Sequence, residues 1–428
     1  MRRLSIGIIL ASCAIGLALG SLVDLVAGQV PPDLGARLLA DPAVVAALQA
    51  AKDSEPEILA KQVAVCEVPA PPFKESERAA LMRREFEAAG LKAVRIDKSG
   101  NVLGVRPGRA SRPNLVVAAH LDTVFPEGTN VKTTREGAVI KGPGIGDNCR
   151  GLALLLAIVR ALDAGRVRTS GQVTFVANVG EEGLGDLRGV KHLFNEELKG
   201  QIDAFVAIDG TGYGITNVGV GSHRYRVTYR GPGGHSYGAF GLPNPIHALG
   251  RAIAKVSDFQ VATNPKTTFN VGRIGGGTSV NSIAYEAWME MDMRSPDEAA
   301  LSKVDAQFKE AVASALAEEN ARWGGEARLT VETDLVGDRP AGQTPQDSVI
   351  VQTAVAVTRA LGLPIELGDG STDSNIPMNL GIPAVTIDGG GRGKGGHSLA
   401  EQFDSTDSWK GTQRAVLLVI ALASAPAF

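Results

Sequence analysis

The sequence predicts an α/β protein whose main domain is interrupted by an inserted α+β domain. Residues 114–120, 172–179 and 204–209 are near-continuous apolar runs, the pattern of strands that are buried on both faces of a sheet. A strongly apolar helix is predicted at 151–162, and this alternation of strands and helices indicates a sheet covered by helices. After residue 221 the pattern changes to the polar and apolar alternation of half-exposed strands, which marks the inserted domain.

The segment before this sheet is predicted to be mainly helical. Asp41 is suited to cap a helix whose first residue is Pro42, and apolar residues recur behind it at helical spacing. A second amphipathic helix is predicted at 76–89. Short strands are predicted to follow at 93–97 and 101–106.

The inserted domain is predicted to span residues 222–336. Its predicted elements are a strand at 224–230, a helix at 245–256, strands at 268–274 and 284–294, a helix at 297–322 and a strand at 327–333. This order is β-α-β-β-α-β, the ferredoxin-like pattern. The main domain then comprises residues 36–221 and 337–428, and its second part is predicted to contain a helix at 348–361, a strand at 383–387 and a final helix.

Charge and cysteine content exclude several classes of protein. In 428 residues, 43 Lys and Arg against 46 Asp and Glu leave a net charge of −3, and no basic block predicts a nucleic-acid partner. The three cysteines, Cys13, Cys66 and Cys149, are too few and too scattered for a disulfide framework or a Cys-based zinc site. Cys149 is expected to pack at the start of a helix. Any metal ion must therefore be held by His and carboxylate groups.

The N-terminus has the pattern of a targeting segment. Arg2 and Arg3 precede an uncharged, mainly apolar run over residues 4–23, which is typical of an export signal. The run is also long enough to cross a bilayer, so an uncleaved anchor remains an alternative. Residues 1–28 are predicted to be a signal peptide or a membrane anchor, with the rest of the chain periplasmic or extracellular. Contact with a membrane is expected only through this segment.

Polar side chains cluster where predicted strands end and in glycine-rich turns. The clusters are VAAHLD at 117–122, GPGIGDN at 142–148, NVGEEG at 178–183, AIDG at 207–210 and GGHS at 395–398. Ligands of open α/β sheets bind at the carboxyl ends of the strands. Two His and several carboxylates without thiolates suit Zn²⁺, Mn²⁺ or Co²⁺. A carboxylate shared by two ions and a spare acid that acts as a base are what a two-metal hydrolase needs.

Taken in order, HLDTVF, GPGIGDN, EEG, IDG and the two GGHS segments resemble the M20 family of metallopeptidases. This family includes peptidase T, carboxypeptidase G-type enzymes and aminoacylases. The likeness covers nearly all of the chain after residue 35. It implies a zinc-peptidase-type α/β catalytic domain with a mixed sheet, and it implies that the ferredoxin-like insert serves as a lid and dimerisation domain.

The resemblance implies two divalent metal ions, with Zn²⁺ expected and Co²⁺ or Mn²⁺ as alternatives. The implied ligands are His120, Asp147 and Asp209 for one ion, and Asp147, Glu182 and His397 for the other, with Asp147 bridging. In this family the position of Asp209 is Asp in aminopeptidase-like and dipeptidase-like members and Glu in several others. An Asp here therefore favours a peptidase.

Catalytic and substrate-binding roles are also implied by the resemblance. Glu181 would be the general base that takes a proton from a metal-bridged water, the nucleophile, and Asp122 would orient the first histidine ligand. His235 matches a lid histidine that reaches the neighbouring active site in dimeric relatives. Asn281 and Arg294 match lid residues that bind the carbonyl and carboxylate of the substrate, so a homodimer formed through the lid is expected.

These residues predict a hydrolase that cleaves amide or peptide bonds of short peptides. The alternative within hydrolases is an amidohydrolase that removes acyl groups from N-acyl amino acids. The glycines of 142–146 also suggest a dinucleotide-binding loop, but that pattern requires glycine where Asp147 stands, and an acid there would repel a pyrophosphate. An inactive, merely binding relative is disfavoured because Glu181 and the full ligand set are present.

Overall fold

A computed structural model describes residues 30–425 of the chain. The helices are α1 Leu34–Ala40, α2 Pro42–Asp53, α3 Glu55–Cys66, α4 Ser76–Ala88, α5 Cys149–Ala164, α6 Arg188–His192, α7 Pro245–Ser257, α8 Glu298–Arg322, α9 Val349–Ala360, α10 Asn375–Asn379 and α11 Trp409–Ala423. A 3₁₀ turn at Gly183–Gly185 precedes α6, and a π-helix at Leu193–Glu197 follows it directly.

The strands form one large sheet and three smaller ones. They are β1 Lys92–Ile96, β2 Val102–Arg106, β3 Asn114–His120, β4 Thr134–Glu136, β5 Val139–Lys141, β6 Gln172–Asn178, β7 Ala204–Ile208, β8 Gly214–Gly219, β9 Gly221–Arg230, β10 Gly234–His235, β11 Thr268–Gly276, β12 Ser282–Ile283, β13 Glu286–Ser295, β14 Thr330–Arg339, β15 Gly342–Gln343, β16 Glu366–Gly370, β17 Ala384–Ile387, β18 Arg392–Lys394 and β19 Gln402–Asp404.

The large sheet has the strand order β1-β2-β6-β3-β7-β17-β8-β15, with β16 also paired to β8. Its central strands β6, β3, β7 and β17 are parallel, whereas β1, β2 and β15 pair antiparallel. Alternate residues of β3 enter two different cores, Val117 on one face and Val116 on the other. The predicted α/β class with a mixed sheet, covered on both faces, is therefore confirmed.

Local signals in the sequence explain where the key helices begin. The carboxylate of Asp41 accepts a hydrogen bond from the Ala43 amide at 2.7 Å, and Pro42 occupies the first position of α2. At the start of α5 the side chain of Asn148 accepts from the Gly151 amide at 3.0 Å. Helix α5 is apolar on almost every side because it lies between the large sheet and helices α2, α3 and α11.

The second sheet, with the order β11-β13-β9-β14, is antiparallel and packs against α7 and α8. The predicted β-α-β-β-α-β order of elements is present. Strand β14 was predicted to end at residue 333 but continues to Arg339. This strand lies at the edge of the sheet, and most of its side chains are exposed. Its sequence therefore lacks the alternation of apolar and polar residues from which the end of a strand can be predicted. The lid role and the domain bounds stay predictions.

Other elements were absent from the sequence prediction. Helices α1 and α3 were not predicted. Strands β8 and β16 were also missed. Their segments are rich in glycine and lie toward one side of the large sheet, where few apolar residues are required.

The signal peptide or membrane anchor predicted at 1–28 lies outside the described residues. Within residues 30–425, no single helix is both long and apolar enough to cross a membrane. Helices α1 and α2 reach the length and composition of a span only as a pair, and they meet at a bend of 83°.

Cys66 and Cys149 form a disulfide, which the sequence analysis did not anticipate. Their Cα atoms are 5.3 Å apart, and 83 positions separate them along the chain. Cys149 does stand at the start of α5, as expected, and the bond ties it to the last residue of α3. The sequence pattern was uninformative because the pair closes a long loop and belongs to no dense cysteine framework.

This crosslink predicts that stability depends on the oxidation state. Reduction, or the double substitution Cys66→Ser/Cys149→Ser, should lower the free energy of unfolding by about 2–4 kcal/mol, because a long closed loop restrains the unfolded chain. Urea denaturation with and without dithiothreitol measures this. Dithiothreitol should not change the double variant, and equal midpoints for the oxidised and reduced natural protein would contradict the prediction.

Candidate metal centre and active site

The predicted metal ligands converge at the carboxyl ends of the central strands. His120 is the last residue of β3, Asp209 directly follows β7, and Glu182 lies in the loop after β6. Asp147 lies in the loop before α5, and His397 lies in the turn after β18. Parallel strands bring these ends to one edge of the sheet, which is why residues distant in sequence meet there.

Asp147 lies at the centre of this group. One of its carboxylate oxygens, Oδ1, is 3.0 Å from His120 Nε2, and the other, Oδ2, is 3.0 Å from His397 Nε2. Asp209 Oδ1 is 3.7 Å from His120 Nε2, and Glu182 Oε1 is 3.2 Å from His397 Nε2. Each oxygen of Asp147 thus faces a different histidine, as a carboxylate shared by two metal ions would.

The carboxylates around the two histidines favour the protonated, positively charged form of each imidazole. Burial lowers the pKa of His120, but hydrogen bonds to Asp147 and Asp209 raise it well above its usual value. Hydrogen bonds to Asp147 and Glu182 raise the pKa of His397 to about 10. The same carboxylates would attract divalent cations.

The donor set fits divalent metal ions. It contains two imidazoles and three carboxylates, which are ligands of Zn²⁺, Mn²⁺ and Co²⁺. Ligand atoms of His120, Asp147 and Glu182 lie within 4.8 Å of one another.

Asp122 holds the loop that carries both glutamates. Its two carboxylate oxygens accept hydrogen bonds from the backbone amides of Glu181 and Glu182, at 3.0 and 2.8 Å. His120 Nδ1 lies 3.0 Å from the backbone carbonyl of Asp122 and 3.7 Å from its carboxylate. Residue 122 therefore contacts the first histidine, but mainly through its backbone. Burial raises the pKa of the Asp122 carboxyl.

Glu401 holds the loop that carries Asp147, as Asp122 holds the loop that carries the glutamates. It was not predicted from the sequence. Its buried carboxylate accepts hydrogen bonds from the amides of Gly144, Gly146 and Asp147 at 2.9, 2.8 and 3.1 Å. Gly144 has a φ of +79°, which explains the need for glycine in this turn. Glu401 follows His397 closely in sequence, so two ligand loops are joined, but its surroundings resemble no metal-binding pattern.

Glu181 lies beside the predicted ligands and pairs with Arg339. Arg339 Nη1 is 3.0 Å from Glu181 Oε1, and the same guanidinium contacts the backbone carbonyl of Glu181. Burial raises the pKa of the Glu181 carboxyl well above its usual value, while the charge of Arg339 opposes this shift. Arg339 was not predicted because it ends β14, beyond the predicted end of that strand.

A cavity of about 300 Å³ opens onto this centre. Its polar lining consists of Asp147, Glu181, Glu182, Asp209, Arg224, Arg294, Arg339, Ser371 and His397. Arg294, predicted to bind substrate, lies in this wall, and Arg224 lies there without having been predicted. Both arginines donate to Asp292, at 2.8 and 2.9 Å, and Arg224 also donates to the Gly183 carbonyl at 2.7 Å.

Of the predicted site residues, His120 and Asp122 are buried and do not line this cavity, and His235 and Asn281 lie outside it altogether. His235 is exposed in β10, which pairs with β12 next to Asn281. The amide of Ser236 donates to the Asn281 carbonyl at 2.9 Å, so these two segments lie together. The structure thus brings His235 close to Asn281 but not to the metal-binding groups of its own chain. The roles assigned to all the site residues stay predictions.

A mixed α/β sheet that gathers His and carboxylate groups around one shared acid is the arrangement of a metallohydrolase. Residues 116–421 match the model of a family described as Peptidase family M20/M25/M40. The chain belongs to this family of hydrolases, so the resemblance seen in the sequence is confirmed.

Relatives and solved structures agree with this assignment. YqjE of Bacillus subtilis is 25% identical over 335 residues, which are 73% of this chain and 84% of YqjE. Carboxypeptidase G2 of a Pseudomonas species is 26% identical over 50% of this chain and 53% of its own length. A tripeptidase from Staphylococcus aureus has a similar fold, with a TM-score of 0.71, 24% identity and coverage of 86% of this chain and 98% of its own. A dinuclear metal-binding peptidase of the M20 family from Bacillus subtilis has a TM-score of 0.63, with 18% identity over 87% of this chain and 99% of its own.

The hydrogen bonds of Asp122 predict the effect of Asp122→Asn. An asparagine offers one acceptor where the carboxylate offers two, so one buried amide of the Glu181–Glu182 pair loses its partner. We expect a loss of about 1–3 kcal/mol in unfolding free energy and a 10- to 100-fold lower kcat/KM or affinity for divalent metal ions. Kinetics, urea denaturation and zinc analysis measure this.

Asp203→Asn is the matched control. The Asp203 carboxylate accepts a hydrogen bond from the backbone amide of Asn114 at 2.6 Å. Asn114 is the first residue of β3, so this contact lies at the end of the strand away from His120. This variant should have the metal affinity and the kcat/KM of the natural protein. Unchanged metal binding and turnover in Asp122→Asn would show that its carboxylate does not support the site.

Proposed function

We propose that this protein is a two-zinc hydrolase that cleaves peptide bonds of short peptides, with Glu181 as the general base. The observation that carries the proposal is the shared position of Asp147, whose two oxygens each lie 3.0 Å from a different histidine. Bound zinc ions would lower the pKa of a water molecule to about 7 and polarise the substrate carbonyl.

Glu181 is the acid best placed to move the proton. Its Oε1 is engaged by Arg339 at 3.0 Å, which leaves Oε2 to take a proton from the attacking water. The same oxygen would then deliver the proton to the leaving nitrogen. Because Arg339 and Asp122 hold the side chain and backbone of this residue, little reorientation is needed between the two transfers.

Arg294 supports a substrate with a free carboxylate. Its guanidinium lines the cavity and is held in place by Asp292, and a planar fork of this kind matches a carboxylate. Both a peptide with a free C-terminus and an N-acyl amino acid carry this group. The family description and an Asp at position 209 favour peptides.

Deacylation of N-acyl amino acids is the second candidate. Succinyl-diaminopimelate desuccinylase of Corynebacterium glutamicum is 26% identical over 53% of this chain and 63% of its own length. Parallel assays of di- and tripeptides against N-acetyl and N-benzoyl amino acids separate the two. We expect the higher kcat/KM with peptides, and the reverse order would favour the deacylase.

Removal of the base should separate turnover from metal binding. Glu181→Gln should keep both zinc ions of the catalytic centre, because it removes no proposed ligand, but kcat should fall by about 10²- to 10⁴-fold. Zinc analysis and steady-state kinetics measure the two effects. The exposed Glu77→Gln is the matched control and should behave as the natural protein.

Two results would contradict this assignment. Loss of zinc from Glu181→Gln would mean that the roles of Glu181 and Glu182 are exchanged or wrong. Full amide hydrolysis after exhaustive chelation would remove the metal from the proposal altogether.

We further propose that the chain forms a homodimer in which His235 serves the active site of the partner subunit. The support is its exposed position outside the cavity of its own chain, with Nδ1 accepting from the Tyr237 amide at 3.2 Å and Nε2 free to donate. Equal amounts of His235→Ala and Glu181→Gln protein, dissociated and reassociated, should regain about a quarter of the natural activity, because half of the dimers would have one intact site. Each variant alone is the control, and a mixture no more active than the two alone would contradict the proposal.

We also propose that the protein is exported. The basic start and apolar run at residues 1–28 support this, and a disulfide suits an oxidising compartment. Cell fractionation and N-terminal sequencing test it. Recovery from the cytoplasm with an intact Met1 would contradict it.

A further inference from the structure

A second group of His and carboxylate side chains lies apart from the catalytic centre. His192 ends α6, Glu197 ends the π-helix that follows, and Asp97 directly follows β1. Ligand atoms of these three residues lie within 4.8 Å of one another. We propose that Asp97, His192 and Glu197 form a third divalent-cation site, suited to Zn²⁺ and separate from the catalytic ions.

The surroundings of the His192 imidazole indicate that it could bind a metal ion. His192 Nε2 is buried and has no hydrogen-bond partner among the described residues, which is costly for a polar atom. It lies 3.9 Å from Asp97 Oδ2. A zinc ion at its usual distance of about 2.0–2.2 Å from nitrogen and oxygen ligands would fit between these two atoms.

The remaining contacts orient the two ligands. His192 Nδ1 faces Glu196 Oε2 at 3.4 Å, and metal-binding histidines commonly direct their other ring nitrogen toward a carboxylate in this way. Asp97 Oδ1 accepts hydrogen bonds from the amides of Ser99, Gly100 and Asn101 at 2.8, 2.9 and 3.0 Å. The Asp97 carboxylate is therefore held in place with Oδ2 directed toward the imidazole.

Glu197 supplies the third ligand through an unusual helical turn. The wider turn of the π-helix brings Glu197 close to His192, and π-helical turns are frequent at functional sites. Arg95 donates to Glu197 Oε1 at 2.8 Å, which leaves Oε2 for an ion. Asp97 and Glu196 also lie near His192, and Arg95 is paired with Glu197, so the carboxylates around the imidazole favour a divalent cation.

An ion at this site would stabilise the segment that leads to Glu181, through Asn101. The side chain of Asn101 donates to Asp97 Oδ2 at 2.7 Å and to the Gly189 carbonyl at 2.9 Å. Its Oδ1 accepts from the Val179 amide at 3.0 Å, two residues before Glu181. The proposed ion would therefore brace the β1–β2 turn against the segment that carries the general base, which is a structural role.

The test counts zinc ions in protein whose catalytic site has been disabled. His120→Ala/His397→Ala protein, made metal-free and then dialysed against low Zn²⁺, should retain one ion per chain by elemental analysis. Adding His192→Ala should remove that ion. Adding His247→Ala, a half-exposed histidine on the second sheet's helix α7, should not. In the otherwise natural protein, His192→Ala should lower the count from three to two.

A thermal measurement keeps the test decisive if His192→Ala does not fold. Zn²⁺ should raise the Tm of His120→Ala/His397→Ala protein, and Glu197→Gln in that background should abolish the rise while leaving the metal-free Tm nearly unchanged. The proposal is overturned if the disabled protein binds no zinc, or if His192→Ala or Glu197→Gln leaves its zinc binding intact. Both readouts are independent of hydrolysis, so they stand whether or not the proposed function is correct.

Discussion

The structure depends on holding several carboxylates together at one edge of the large sheet. Asp147, Glu182 and Asp209 lie around two histidines, and like charges this close repel one another unless cations or hydrogen bonds offset them. Two further buried acids, Asp122 and Glu401, accept hydrogen bonds from backbone amides. Carboxylates therefore both hold the loops in place and supply the predicted metal ligands. The fold gathers their negative charge where metal ions would neutralise it.

Strands and loops divide the work of building the site. The parallel strands are packed on both faces and fix the positions of His120 and Asp209. The loops carry the remaining acids, and hydrogen bonds hold these acids in place. Glu181 connects the large sheet with the second sheet, because its backbone is held by Asp122 and its side chain by Arg339 of β14. A shift of the second sheet would thus reach the proposed base directly.

The sequence allowed the fold class and the polar edge of the sheet to be predicted from apolar patterns, whereas the individual ligand assignments came from the likeness to the M20 family. Apolar runs mark the buried strands, and a charged residue at the end of such a run marks the sheet edge, as at His120 and Asp209. Glu401 and Arg339 could not be found in this way, because each acts on a loop that is distant in sequence and neither interrupts an apolar pattern. The disulfide between Cys66 and Cys149 was missed because the two cysteines are distant in sequence and belong to no dense cysteine framework.

The second sheet joins the large one through neighbouring residues. Ser222, near the start of β9, pairs with Arg339 at the end of β14, so the chain leaves and returns at almost the same place. A segment attached in this manner is modular: it can be lengthened, shortened or exchanged during evolution without altering the register of the large sheet. The exchange is constrained at its very end, where Arg339 pairs with the side chain of Glu181.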